Sequence, residues 1–191
     1  MKQVTSIFNN TVIRFRYKES LSDLQKTIDT IFDNFDIGDN IKDYEGRVVS
    51  TFGFKDPNIQ NSVFPIKGWI SDCILESAVD LGYPNATKIN IINVFSNKMW
   101  PESAGSVHHH PETFHGVAIF YLQCPLDSSD LYIVPNGFMG ATEKDFNSSE
   151  LAYVNVKQGD LIIHNPSAWH GVTKNTSKEN RIVLVFEFQY E

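Results

Sequence analysis

The chain has 191 residues, 41% hydrophobic and 13% aromatic, enough for one substantial core, and a single domain spanning 1–191 is the economical reading. A formal charge of −7 and the lack of any Lys/Arg cluster argue against a surface built to neutralise a phosphate backbone, so nucleic acid is not an expected partner. No window approaches the ~20 apolar residues of a membrane span, and Met1–Ser6 lacks the apolar stretch of a signal peptide, so a soluble protein without a membrane partner is expected.

From Ile7 to Arg16 the pattern is short and β-like and ends at Lys18-Glu19-Ser20, which predicts one strand. Leu21, Leu24, Ile28, Ile31, Phe32 and Phe35 then recur at helical spacing, with Ser20 as the cap and Gly38 as the stop. Residues 38–64 are rich in Gly, Asp, Asn and Pro around Val48-Val49 and Phe52, a pattern of loops with one short strand. After Pro65, Ile66, Trp69, Ile70, Cys73 and Ile74 again keep helical spacing, which predicts a helix running to Gly82 before Tyr83-Pro84.

Beyond residue 85 the segments become short, rich in β-branched and aromatic residues, and separated by turn signals such as Pro135-Asn136-Gly137. Strands are expected at 88–96, 106–110, 116–123, 130–134, 152–156, 160–164, 170–174 and 181–189, a spacing that fits a double-sheet jelly roll. The fold class is therefore mainly β with N-terminal helices, residues 1–85 forming a helix-rich support and 86–191 a jelly-roll core. The hydrophobic helices can serve as a homodimer face as readily as they can cover the sheet. Cys73 and Cys124 are far apart without metal-ligand spacing and read as buried thiols of a reducing compartment, with the cytoplasm as default.

All six histidines fall between His108 and His170, and the first hundred residues contain none. Clustering of the commonest metal ligand in a chain otherwise poor in it points to a metal site. Residues i and i+2 of a strand share a face, so His108 and His110 can converge on one ion, with His170 as a distant third ligand. Three ligands on one side leave other positions open, as non-heme Fe(II) oxygenases require. Arg181 opens the run Ile182–Phe186 and offers a planar cationic fork suited to bidentate capture of a carboxylate.

These motifs resemble those of the 2-oxoglutarate and Fe(II)-dependent oxygenases, in particular small members found in phages and marine bacteria. His108-His109-His110-Pro111 followed by Gly116–Leu122 is similar to that group's H-x-H-P motif and the strand after it. Gly159-Asp160 through Trp169-His170, then Asn175 and Arg181, is similar to its second motif. The resemblance implies a double-stranded β-helix (jelly-roll, cupin-like), Fe(II) held by His108, His110 and His170, and 2-oxoglutarate bound through its C5 carboxylate by Arg181, with Tyr121 as a second contact. It implies a dioxygenase, and a hydroxylase in the simplest case, that decarboxylates 2-oxoglutarate to succinate while oxidising a small-molecule or peptidyl substrate. The wider superfamily places an Asp or Glu two residues after the first histidine, and His110-x-Glu112 satisfies that pattern as well; Pro111 directly after His110 favours His108 with His110.

The remaining residues have plainer readings. His109, His115 and His164 are taken as satisfied polar side chains, Trp69, Trp100 and Trp169 as packing, Phe32 and Phe35 as core, and Asp127 and Asp130 as solvated turn residues. The rival to an oxygenase is a cupin, either a three-histidine dioxygenase independent of 2-oxoglutarate or a non-catalytic binding protein. The glutamate that a cupin places four or five residues after its second histidine is missing, since Phe114 and His115 stand there, and Arg181 has no required role in that scheme. A metal-free jelly-roll binding module and a closed structural zinc site are further alternatives.

Overall fold

Two stretches, Val117–Leu122 and Ile182–Phe186, are apolar at every position rather than every second one. A strand of that composition needs cover on both faces. The computed structural model of the protein, which describes residues 2–33, 44–51 and 64–191, supplies it. β7 (Gly116–Gln123) and β12 (Arg181–Tyr190) lie side by side in the middle of a seven-stranded antiparallel sheet. With β1 (Gln3–Ile7), β2 (Asn10–Arg16), β4 (Val48–Ser50), β5 (Ile89–Met99) and β10 (Asp160–His164), the order is β1-β2-β10-β7-β12-β5-β4. A second sheet runs β3-β6-β11-β8-β9, formed by β3 (Tyr44–Glu45), β6 (Ala104–His108), β8 (Leu131–Ile133), β9 (Ala152–Val154) and β11 (His170–Val172).

The strand period of two divides the core into two layers. Val117, Ile119 and Tyr121 of β7 and Val183 and Val185 of β12 face the second sheet and meet Leu131 and Ile133 there. The alternate residues, Phe120, Leu122, Leu184 and Phe186, face away from it, onto α2 (Phe64–Glu76) and Leu24 of α1 (Leu21–Asp33). This is the double-stranded β-helix expected from the sequence, with helices on one outer face. The strands read over 116–123 and 160–164 coincide with β7 and β10, and each of the other six expected strands overlaps an observed one.

The N-terminal part departs from expectation. The single strand read at Ile7–Arg16 is the end of a hairpin, because Phe8 (φ 46°) and Asn9 (φ 65°) both adopt the left-handed conformation of a tight two-residue turn. Its strand β2 pairs with β10, Ile13 opposite Ile163, and β4 pairs with β5, so residues before 85 extend the main sheet as well as covering it. Ser20 Oγ accepts the Ser22 N–H at 3.2 Å, the cap anticipated for α1; the proposed stop at Gly38, together with Phe35 and Phe52, lies outside the described residues, as does the side chain of Phe32. α2 ends at Glu76 rather than Gly82, where Ser77 Oγ donates to Ile74 O at 2.6 Å and bonds Tyr190 Oη at 2.8 Å, tying the chain to β12. Trp69 joins the core against Tyr17, with ring centroids 5.0 Å apart, whereas Trp100 lies half-buried beneath the Arg47 guanidinium, 4.2 Å from its ring, instead of in the core. Both cysteines are free thiols, and burial pushes Cys73 up to about 12. Among the described residues no helix is long and apolar enough to cross a membrane.

A third apolar cluster on the outer face of the second sheet joins Val107, Tyr132, Val134 and Ala141 with Trp169. Gly171 is the floor on which the fully buried Tyr132 ring rests: a Cβ there would lie 2.3 Å from Tyr132 Oη and 2.4 Å from its Cζ. A rigid ring without free volume cannot yield cheaply, so Gly171→Ala should cost about 1–3 kcal/mol of stability. The urea midpoint of the metal-free protein reads this, and an unchanged midpoint would show that Tyr132 has room to move.

Candidate metal and anion site

β6 and β11 pair so that His108 and His170 are directly opposite. Their rings stand 4.4 Å apart, and the His110 ring lies 5.4 Å from His108 and 5.3 Å from His170. One ligand nitrogen from each of the three falls within 4.8 Å of the other two, a set that could hold a metal ion. The route to this arrangement differs from the sequence argument. β6 ends at His108, so His110 does not share a strand face with it; His110 sits two residues into the following loop, where its N–H donates to Pro166 O at 3.0 Å.

Second partners decide which nitrogen each ring offers. His108 Nδ1 lies 3.0 Å from Ser106 O, His170 Nδ1 lies 2.8 Å from Ala168 O, and His110 Nδ1 lies 2.6 Å from Glu187 Oε1. Each Nδ1–H donates to its acceptor, which leaves Nε2 with the lone pair a metal needs. Burial, reinforced by the neighbouring imidazoles, holds His170 well below the ordinary histidine range, so it is a neutral donor at physiological pH. Three imidazole nitrogens suit a borderline divalent ion such as Fe(II).

The cavity in front of these rings has apolar walls from Ile119, Leu131, Val183 and Val185, and Arg181 lines it too. Arg181, Val183, Val185 and Glu187 alternate along one face of β12, which places the guanidinium and the histidines at different levels of the same cavity. Arg181 is 2% exposed, and among the described residues no carboxylate pairs with it. Its Nη1 reaches Met99 Sδ at 3.3 Å, its Nε has no hydrogen-bond partner, and its Cζ stands 4.9 Å from the Tyr121 ring. Tyr121 is fully buried beside it, and burial raises its pKa against the opposing pull of the Arg181 guanidinium. A buried cation without a counter-ion among the described residues is costly unless an anion completes it.

Other candidate residues fall elsewhere. Glu112 is exposed on the loop after His110 and is not among the three converging side chains. His109 is exposed beside Trp169, at 4.4 Å between rings, and His115 stacks on Tyr83 and accepts the Tyr190 N–H at 2.9 Å. His164 is fully buried 4.6 Å from the His170 ring, its Nδ1 against Asn165 O at 2.8 Å, and burial lowers its pKa to about 3. Asp130 is not a solvated turn residue: its Oδ1 accepts the Val156 N–H at 3.0 Å. Glu187, buried against His110, went unnoticed in the sequence, although a charged residue inside Val185-Phe186-Glu187-Phe188 is a signal, since carboxylates are rarely buried unless paired.

Comparisons with known proteins bear on the family and the fold. Residues 93–187 match the family described as "Putative 2OG-Fe(II) oxygenase". No curated protein matches the chain. Among solved structures, it is similar to HygX from Streptomyces hygroscopicus, bound to nickel, 2-oxoglutarate and hygromycin B (TM-score 0.63, 14% identity, covering 93% of this chain and 82% of that one). It is also similar to the non-heme alpha-ketoglutarate-dependent carbocyclase SnoK from nogalamycin biosynthesis (TM-score 0.62, 15% identity, 93% and 78% covered). A third similar structure is the viral collagen prolyl hydroxylase vCPH from Paramecium Bursaria Chlorella virus-1 with 2OG (TM-score 0.55, 10% identity, 93% and 94% covered). At such identities these likenesses establish the fold.

Proposed function

Since the chain belongs to the 2OG-Fe(II) oxygenases, we propose that His108, His110 and His170 hold its Fe(II) and that Arg181, with Tyr121, holds the C5 carboxylate of its 2-oxoglutarate. The activity is that of an oxidoreductase with Fe(II) and 2-oxoglutarate as cofactors. The observation that carries the residue assignment is Arg181: a guanidinium 2% exposed, without a carboxylate partner among the described residues, lining the same cavity as the three histidines.

Each residue has a role that follows from its surroundings. Backbone carbonyls accept from Nδ1 of His108 and His170, which turns their Nε2 lone pairs toward the metal. Arg181 presents its fork to a carboxylate in a low-dielectric wall, where a charge-assisted pair is strongest, and Tyr121 Oη donates a further hydrogen bond to it. Ile119, Leu131, Val183 and Val185 exclude water from the space between. When bound, Fe(II) and 2-oxoglutarate would activate dioxygen, one oxygen atom entering the succinate formed with carbon dioxide and the other the substrate. The oxidised substrate is a small molecule or a peptidyl side chain, hydroxylation is the simplest outcome, and the single domain over 1–191 acts in the cytoplasm, a setting supported by two free thiols. The helical face leaves room for a homodimer.

The deciding experiment is an anaerobic titration of the Fe(II)-loaded protein with 2-oxoglutarate, followed by the weak visible charge-transfer band of the chelate. A saturable band is expected at one equivalent. Iron binding without a band would favour a three-histidine cupin, and failure to bind either would dismiss the assignment.

A further inference from the structure

A set of three histidines differs from the two-histidine, one-carboxylate facial set of non-heme Fe(II) oxygenases in one respect: a metal-bound imidazole is neutral, so none of the ligands brings negative charge. Among the described residues, the carboxylate in contact with them is Glu187, 2% exposed, with Oε1 2.6 Å from His110 Nδ1. We infer that Glu187 supplies, through its hydrogen bond to His110, the negative charge and orientation that a carboxylate ligand would otherwise supply directly. The inference rests on the ligand set proposed above.

Glu187 is held for this purpose on both sides. Its cross-strand partner on β5 is Asn93, whose Nδ2 donates to Glu187 Oε2 at 2.6 Å. Immediately after this pair the register between β12 and β5 shifts, so that Phe188 lies opposite Ile91. Such an irregularity re-aims side chains locally. With His110 Nδ1–H donating to one oxygen and the Asn93 amide to the other, both oxygens accept, the pattern of an ionised carboxylate. A carboxylate behind a ligand imidazole fixes its tautomer and raises the basicity of the metal-facing nitrogen. The effect is larger in a buried site, where charge is poorly screened. Nδ1 of His108 and of His170 donates to a neutral carbonyl, whereas Nδ1 of His110 donates to a carboxylate.

Glu187→Gln separates charge from packing, because glutamine keeps the size and an oxygen that can still accept from His110. The readouts are Fe(II) affinity, measured anaerobically by competition with a chelator, and the Fe(III)/Fe(II) midpoint potential. The expected result is a loss of affinity of about 10- to 100-fold, with a positive shift of the potential because the ferric state loses the compensating charge. Glu187→Asp should recover part of both. Wild-type affinity and potential in Glu187→Gln, beside a His110→Ala variant that has lost the ion, would overturn this inference and leave the ligand set standing. A His110→Ala variant that binds Fe(II) like the wild type would overturn both. Should Glu187→Gln fail to fold, Asn93→Ser loosens the carboxylate instead; a several-fold loss of affinity is then expected, and wild-type affinity overturns the inference.

Discussion

Replacing His170 with alanine should abolish usable Fe(II) binding and, with it, 2-oxoglutarate turnover. His170 opens β11 directly across from His108, is 2% exposed, and has its ring anchored through Nδ1 to Ala168 O. The buried His164 ring beside it is tied to Asn165 O and is not one of the converging donors. Loss of an outer partner of a ligand costs about 10- to 100-fold in metal affinity, and loss of a ligand itself should cost more. Folding is expected to survive in the metal-free protein, because the side chain removed is a polar one held neutral by burial. Anaerobic metal titration with circular dichroism as the control reads both. Wild-type affinity in a folded His170→Ala protein would remove His170 from the site.

The second large effect is on the oxo acid rather than the metal. Arg181→Ala should weaken 2-oxoglutarate by about 2–5 kcal/mol, roughly 30- to several-thousand-fold, the range for truncating one partner of a buried charge pair. Fe(II) affinity should change little, because Arg181 makes no contact with the histidines; its neighbours are Met99 and Tyr121. Arg181→Lys keeps the charge but loses the planar fork and should fall between the two. Tyr121→Phe removes one hydroxyl and should cost about 0.5–1.5 kcal/mol, the scale of one net hydrogen bond. Calorimetric titration of 2-oxoglutarate into the Mn(II)-loaded variants orders the three. An Arg181→Ala protein with unaltered 2-oxoglutarate affinity would mean that the guanidinium serves the fold and the acid binds elsewhere.

The split between metal and acid effects reflects how the sandwich is built. Residues of β12 at alternate positions carry Arg181, two valines of the cavity wall and Glu187 on one face, while Leu184 and Phe186 on the other face hold the strand against the helices. A single strand thus fixes the guanidinium proposed to bind the acid, the apolar wall and the carboxylate behind His110 at set levels of one cavity. Substitutions that shift β12 as a whole should therefore affect both ligands, whereas those at one level should affect one.

Much of this was open to reading in the linear chain. Uninterrupted apolar runs such as Val117–Leu122 announce strands covered on both sides, and the confinement of every histidine to 108–170 announces the metal chemistry, because hydrophobic periodicity and residue type are local properties. Local reading failed where long-range contacts decide. The hairpin turn at Phe8-Asn9 has no glycine to signal it, and its strand β2 becomes part of the main sheet only by pairing with β10, some 150 residues later. His110 does not obey the strand periodicity that its spacing from His108 predicts; a loop held to Pro166 O brings it round. Glu187 and Asn93 have no sequence motif between them, and they become a carboxylate support for His110 because β5 and β12 pair in one register. The sequence by itself determined the class of fold and singled out three histidines and Arg181 as candidates, since these depend on composition and period. Only the tertiary structure decided which nitrogens converge, which carboxylate stands behind them and that Arg181 is buried without a carboxylate partner among the described residues, because those are matters of distance between segments that the chain order keeps apart.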